Sequence, residues 1–236
     1  MHNGDTAALL VCAGNATRMG GIHKILHPLG QTTVLHRVLR SFSACESIAQ
    51  IIVICRAQDT DAFWQSIADI EYELTVPVTV TAGGATRQQS VGNGFAALPP
   101  GTEYVAIHDG ARPLIRPDDI ERVIADARKT GAATLGVPVK DTIKQVQNGI
   151  ITATPDRSLL WQTQTPQVFR RSLYQEAAEL AEQQQKDYTD DCQLVEALGV
   201  SVTMTAGAYS NIKLTTPEDF SVAEALLAYE KEVNHG

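Results

Sequence analysis

The feature that most constrains this chain is an alternation. Six short apolar runs, at residues 7–13, 50–55, 76–81, 104–107, 132–139 and 200–205, are set among amphipathic segments. Runs of this length, bounded by turn formers, suit strands buried on both faces, and helices between them build a mostly parallel sheet. The intervening segments carry helical spacing. Residues 33–42 put Val34, Leu35, Val38, Leu39 and Phe42 on one face, and residues 61–70 do the same with Phe63, Ile67 and Ile70. Further helices are expected over 86–98, 117–129, 172–184 and 190–198, and a short strand over 211–214. A last helix opens at Thr216-Pro217-Glu218-Asp219, with a hydroxyl cap, Pro at the first position and acids in the first turn. The pattern is that of an α/β, Rossmann-like fold, a mostly parallel sheet flanked by helices. No repeat, low-complexity stretch or linker divides the 236 residues.

The alternation stops once. Residues 142–147 and 150–154 read as strands joined by Asn148-Gly149, a dipeptide that readily takes φ > 0 at both positions and is a strong hairpin signal. A hairpin inserted there, at about 140–157, is an arm standing off the sheet. It has little core of its own, so it should pack on something, with a second subunit the expected partner.

Chemistry concentrates where strands end. The first run opens into a small-residue loop, AGNATRMGGIHK, carrying Arg18 and Lys24. A buried strand ending in a tight turn presents bare backbone N–H groups where open α/β sheets bind ligands, and two cations beyond it suit a phosphate chain. Alone, the loop is also compatible with an ordinary turn: no Gly-Lys-Ser/Thr follows, and Ala16 stands where a dinucleotide loop would have its second glycine. Gly83-Gly84, followed by Arg87 and Ser90, repeats the strand–glycine–helix device. Two glycines let backbone approach a flat ligand such as a nucleobase, while Ser90 reads as a hydroxyl contact or as a plain helix-surface serine.

Asp109 falls where the fourth strand ends, on the edge that Gly14 also occupies. One carboxylate facing a polyphosphate suits Mg²⁺, which keeps most of its waters; a turn-forming aspartate is the other reading. Arg112, held by Pro113, reads as a phosphate clamp or as a surface salt-bridging residue. His108 is assigned no role.

Charge and cysteine usage narrow the partners. A formal net charge of −8 argues against broad nucleic-acid or anionic-membrane binding, although a few converging cations can still hold a polyphosphate. Cys12, Cys45, Cys55 and Cys192 lack metal-ligand spacing and suit a reduced, cytoplasmic protein. The apolar runs are too short to cross a membrane as helices. Asp5 rather than a basic segment precedes the first of them, which argues against a secretory signal.

Together these segments resemble the 2-C-methyl-D-erythritol 4-phosphate cytidylyltransferases of the non-mevalonate isoprenoid pathway, over nearly the whole chain and in six ordered blocks. The blocks are Ala13-Gly14 with Arg18-Met19 and Lys24; Gly83-Gly84 with Arg87 and Ser90-Val91; Asp109 to Pro113; Asp141-Thr142; Asp156-Arg157 through Trp161 to Gln164-Thr165-Pro166-Gln167; and Asn211-Ile212-Lys213 with Thr216 to Asp219. The resemblance implies a single nucleotidyltransferase domain over 1–236 with the β-arm inserted. It also implies CMP transfer from CTP to the methylerythritol phosphate, with pyrophosphate released. Arg18, Lys24 and Lys213 would be catalytic. Ala13, Gly14, Lys24, Gly84, Arg87, Ser90, Asp109 and Gly110 would bind CTP, and Asp109 would hold Mg²⁺ or another divalent cation. Asp109, Arg112, Thr165 and Lys213 would bind the sugar-alcohol phosphate, with Thr142 and Arg157 entering the pocket of a homodimer partner. A ribitol 5-phosphate cytidylyltransferase, or a catalytically silent nucleotide-binding homologue, would share much of this pattern. The first loop departs from it: Val11-Cys12 replaces the usual Pro-Ala or similar pair, Ala16 a common glycine, and Thr17 a frequent basic residue. Ala85 also stands where some members carry an acid.

Overall fold

The computed structural model describes residues 4–14 and 24–235. Its strands are β1 (Thr6–Val11), β2 (Pro28–Leu29), β3 (Thr32–Thr33), β4 (Ile48–Cys55), β5 (Val78–Ala82), β6 (Tyr104–Asp109), β7 (Ala132–Pro138), β8 (Gln145–Gln147), β9 (Ile150–Ala153), β10 (Trp161–Arg170) and β11 (Thr203–Ala206). Its α-helices are α1 (Val34–Ser43), α2 (Thr60–Ala68), α3 (Arg87–Ala96), α4 (Pro117–Thr130), α5 (Arg171–Gln183), α6 (Asp191–Glu196) and α7 (Pro217–His235). Seven strands form one sheet in the order β11-β7-β10-β6-β1-β4-β5. All its pairings are parallel except those of β10, which runs antiparallel to both β6 and β7.

Burial on both faces explains the apolar runs. Along β1, Ala8 and Leu10 face the layer of α1, α2 and α4, packing with Val38, Phe42, Phe63 and Val123. Ala7 and Leu9 face the other layer, with Val91, Tyr174 and Val195 of α3, α5 and α6. Strict period-two alternation thus supplies two cores, and no position of the strand can be polar without cost.

Helix starts follow local chemistry. The Thr33 hydroxyl accepts from the His36 N–H at the start of α1. Thr86 and Gln89 form a reciprocal capping box that fixes the first turn of α3. Pro117 opens α4, with Asp118 and Asp119 in its first turn, and Gly131 closes it in the left-handed region at φ 88°.

Three elements differ from expectation. Residues 211–214 are not a strand: Leu214 N–H donates to Ala111 O and Arg112 Nη1 to Asn211 O, so this segment is a loop laced onto the end of β6. Strand β10 has no counterpart in the sequence reading, because the segment from Trp161 to Gln167 is largely polar. Its residues 164–169 are buried nonetheless, with the polar groups satisfied: Gln164, Thr165 and Gln167 all make hydrogen bonds inside the fold. The small β2–β3 hairpin around Gly30, at φ 66°, was also not legible.

The arm is present but shorter than expected, with its first strand starting at Gln145 rather than at Thr142. Asn148 and Gly149 both have positive φ, 51° and 79°, as the sequence required. Among the described residues, strands β8 and β9 pair only with each other, and every residue of the two is exposed.

Candidate active site

The carboxyl ends of β1, β4, β5 and β6 surround one cavity of about 490 Å³. Ala13, Gly14, Lys24, Gly84, Arg87, Ser90, Asp109 and Lys213 all line it, so groups from five separate stretches of sequence meet there. Parallel strands make this possible, since each delivers its following loop to the same edge.

The glycine pair after β5 is held by packing. A Cβ at Gly83 would stand 2.8 Å from both the Ala13 Cβ and the Ser90 Oγ, and one at Gly84 would stand 2.5 Å from the Gln89 Cβ. Ser90 pins this turn: its hydroxyl accepts from Gly84 N–H at 3.1 Å and donates to Thr86 O at 2.9 Å. Gly110 lies under Cys12, whose sulfur a Cβ would meet, so the cysteine in the first loop fits because position 110 is glycine.

Asp109 is the electrostatic centre. Lys213 Nζ lies 2.8 Å and Arg112 Nε 3.6 Å from Oδ2, while Arg87 Nε lies 3.9 Å from Oδ1. Burial alone would push this carboxyl up, but Lys213, Arg87 and Arg112 outweigh it and hold its pKa at about 2. The carboxylate is therefore charged at any physiological pH. Lys24 Nζ donates to Leu214 O at 3.1 Å, bringing its ammonium beside the chain of Lys213 although the two contacting residues are 190 positions apart.

Behind Asp109 lies a buried polar layer. Thr165 Oγ accepts from Asp109 N–H at 3.0 Å and pairs with His108 Nδ1 at 3.0 Å, while His108 Nε2 meets Arg112 O at 3.2 Å. Burial pulls the His108 pKa down to about 4, so the neutral ring donates through Nε2 and accepts from Thr165. Thr165 and Arg112 thus pack behind the cavity wall. Arg112 Nε is buried 3.6 Å from Asp109 Oδ2, without a well-directed hydrogen-bond partner among the described residues.

Arg18 lies outside the described residues, as do Ala16 and Thr17. Thr142 and Arg157 are exposed near the arm and are not at the cavity of their own chain; Arg157 Nη1 donates to Lys140 O at 2.8 Å. Two further groups at the site carry no signal in the sequence. Arg56, which follows β4, lines the cavity and pairs with Asp59 at 2.5 Å. Asp191, at the start of α6, is fully buried against Arg87. In sequence, an acid doublet at Asp190-Asp191 signals a helix start and nothing more.

As to fit for a divalent cation, no group of three or more ligating side chains exists among the described residues. A single cavity-facing carboxylate is nevertheless what Mg²⁺ bound mainly by phosphates and waters requires. Asp109 faces the cavity, with its Oδ1 3.9 Å from Arg87 Nε.

The family model for 2-C-methyl-D-erythritol 4-phosphate cytidylyltransferase matches residues 6–229. The enzyme of that name from Syntrophotalea carbinolica is 46% identical over 93% of this chain and 94% of its own length. The chloroplastic enzyme of Oryza sativa subsp. japonica is 39% identical over 94% of this chain and 74% of its own. The crystal structure of 4-diphosphocytidyl-2C-methyl-D-erythritol synthase from Anaerococcus prevotii superposes with a TM-score of 0.83 at 31% identity, covering 94% of this chain and 98% of that one. By sequence and by fold, the chain belongs to the 2-C-methyl-D-erythritol 4-phosphate cytidylyltransferase family.

Proposed function

We propose that the chain transfers the CMP group of CTP to 2-C-methyl-D-erythritol 4-phosphate and releases pyrophosphate, a step in non-mevalonate isoprenoid precursor synthesis. The observation that carries this reading is that Lys24, Arg87, Asp109 and Lys213 line one cavity of a chain whose relatives bear that name.

The chemistry asks little of acid–base groups. A phosphomonoester oxygen of the sugar-alcohol phosphate, anionic near neutral pH, attacks the α-phosphorus of CTP. A new P–O–P bond forms, and the α–β bond breaks with its electron pair leaving on pyrophosphate. No general base is needed, and the neutral, buried His108 is not asked to be one. What the protein must supply is alignment of two anions and neutralisation of charge on the equatorial and leaving oxygens. Lys24 and Arg18 would do this at the triphosphate. Lys213 and Arg112 would hold the acceptor phosphate, with Asp109 spacing the cations. The cytidine would lie against the backbone of Ala13, Gly14, Gly84 and Gly110, beside Ser90. When bound, Mg²⁺ would be held by Asp109 and would supply charge neutralisation on the phosphates.

The arm supports a homodimer. Val146, Ile150 and Ile151 are more than half exposed, an apolar surface that a second copy would cover. In that assembly Thr142 and Arg157 would complete the partner's acceptor pocket. Four free, buried cysteines suit a reducing cytoplasm. The test is pyrophosphate release from CTP and Mg²⁺, with methylerythritol phosphate and ribitol 5-phosphate offered separately. Release with the first alone is expected. Release with ribitol phosphate alone would replace the substrate, and release with neither would remove the activity.

A further inference from the structure

We propose that Asp191, backed by Tyr174, is a positioning residue for Arg87: a carboxylate outside the cavity that sets where a cavity-lining cation stands. The inference rests on reading the cavity as the CTP site. Arg87 is the first residue of α3 and stands between two carboxylates. Its Nη1 is 2.6 Å from Asp191 Oδ2 on the buried side, and its Nε 3.9 Å from Asp109 Oδ1 on the cavity side. The Asp191 side chain is wholly buried, whereas that of Arg87 is 28% exposed.

Asp191 is itself fixed from three directions. The Tyr174 hydroxyl donates to its Oδ1 at 2.9 Å, its own N–H donates to Gln167 Oε1 at 3.0 Å, and Asp190 caps the helix it begins by accepting from Gln193 N–H at 3.0 Å. The Arg87 contact is a close ion pair rather than a straight hydrogen bond, since Oδ2 has no well-directed donor. Attraction between the charges therefore does the holding, and at 2.6 Å against 3.9 Å the nearer carboxylate wins.

A buried pair of this kind adds little net stability compared with apolar residues of similar volume. What it adds is placement. Without Asp191, Arg87 would be drawn onto Asp109, cancelling the carboxylate assigned to the cation and withdrawing a positive charge from the nucleotide.

The test is calorimetric titration of the full chain with CTP and Mg²⁺, without the acceptor. Asp191→Asn keeps the shape and an acceptor for Tyr174 but removes the charge. It should weaken CTP binding about tenfold while leaving kcat at saturating CTP within about threefold. In an Arg87→Met background the same change should cost nothing further. Unchanged CTP affinity in the single variant, or an equal loss in both backgrounds, overturns the proposal. Should Asp191→Asn fail to fold, Tyr174→Phe decides, with a loss of about threefold expected and none counting against it. If the wild-type chain binds no CTP, the site reading fails by itself. The ¹⁵Nε signal of Arg87 then tests placement alone: broadening in Asp191→Asn supports it, and an unchanged signal overturns it.

Discussion

The carboxyl edge of the sheet and the β-arm solve opposite problems. At the edge, charges are buried, and each is answered from within the chain: Asp109 by Lys213, Arg112 and Arg87, and Asp191 by Arg87 and Tyr174. On the arm, apolar side chains are exposed, and among the described residues β8 and β9 pair with nothing but each other. The first region answers its charges from within the chain, whereas the second leaves apolar side chains uncovered. The difference teaches that burial of charge and burial of apolar surface can be settled in different parts of one domain.

Four changes would break or sharpen that contrast. Lys24→Ala should lower turnover by about a hundredfold or more while leaving the circular dichroism spectrum and Tm in place, because one cation at a transferring phosphoryl group is worth that much. Near-normal turnover would remove Lys24 from the mechanism. Next is the acid response of the edge. Asp109 has a folded pKa of about 2 against an ordinary 3.8, so its contribution is full above the ordinary value and fades as pH falls toward 2. That is about 2 kcal/mol, and Asp109→Asn should lose it at neutral pH along with that part of the acid slope in denaturant titrations. An identical slope in the variant would mean that other carboxylates dominate.

The remaining two changes fall on the arm. Arg157→Ala should raise KM for the sugar-alcohol phosphate about tenfold and KM for CTP far less, as loss of one charge-assisted contact implies. If the proposed pocket draws Lys24 from one subunit and Arg157 from the other, mixing it with Lys24→Ala should restore one working site per mixed dimer. No recovery on mixing would contradict the shared pocket. The smallest effect on the chain itself is expected from Ile150→Asp, at a position already 68% exposed. Its stability at low protein concentration should stay within about 0.5 kcal/mol of the parent, while light scattering should report a monomer in place of the dimer proposed for the parent. A cooperative loss of fold would show that the arm is part of the core after all.

The balance between sequence and structure differs from one region to the other. The hairpin was readable because Asn148-Gly149 is a local device, and the helix starts at Thr33, Thr86 and Pro117 are local too. Strand β10 escaped because its first seven residues are largely polar, and only partners distant in sequence make the burial of Gln164, Thr165 and Gln167 tolerable. The loop at 211–214 misled for a related reason: its Ile and Leu pack inward without ladder pairing, as Leu214 N–H goes instead to Ala111.

The same division runs through the site. From sequence alone came the strand–loop–helix rhythm, the glycine pair, the carboxylate ending β6 and the family pattern around them. Residue identity and spacing encode these directly, through periodicity and backbone preference. Only the fold decided that Lys213 rather than Arg112 makes the closest approach to Asp109, and that Thr165 works behind the cavity wall. Only the fold, too, brought Asp191 against Arg87 across more than a hundred residues of chain. Such pairings depend on distance in space, and chain order does not carry distance until the sheet has closed.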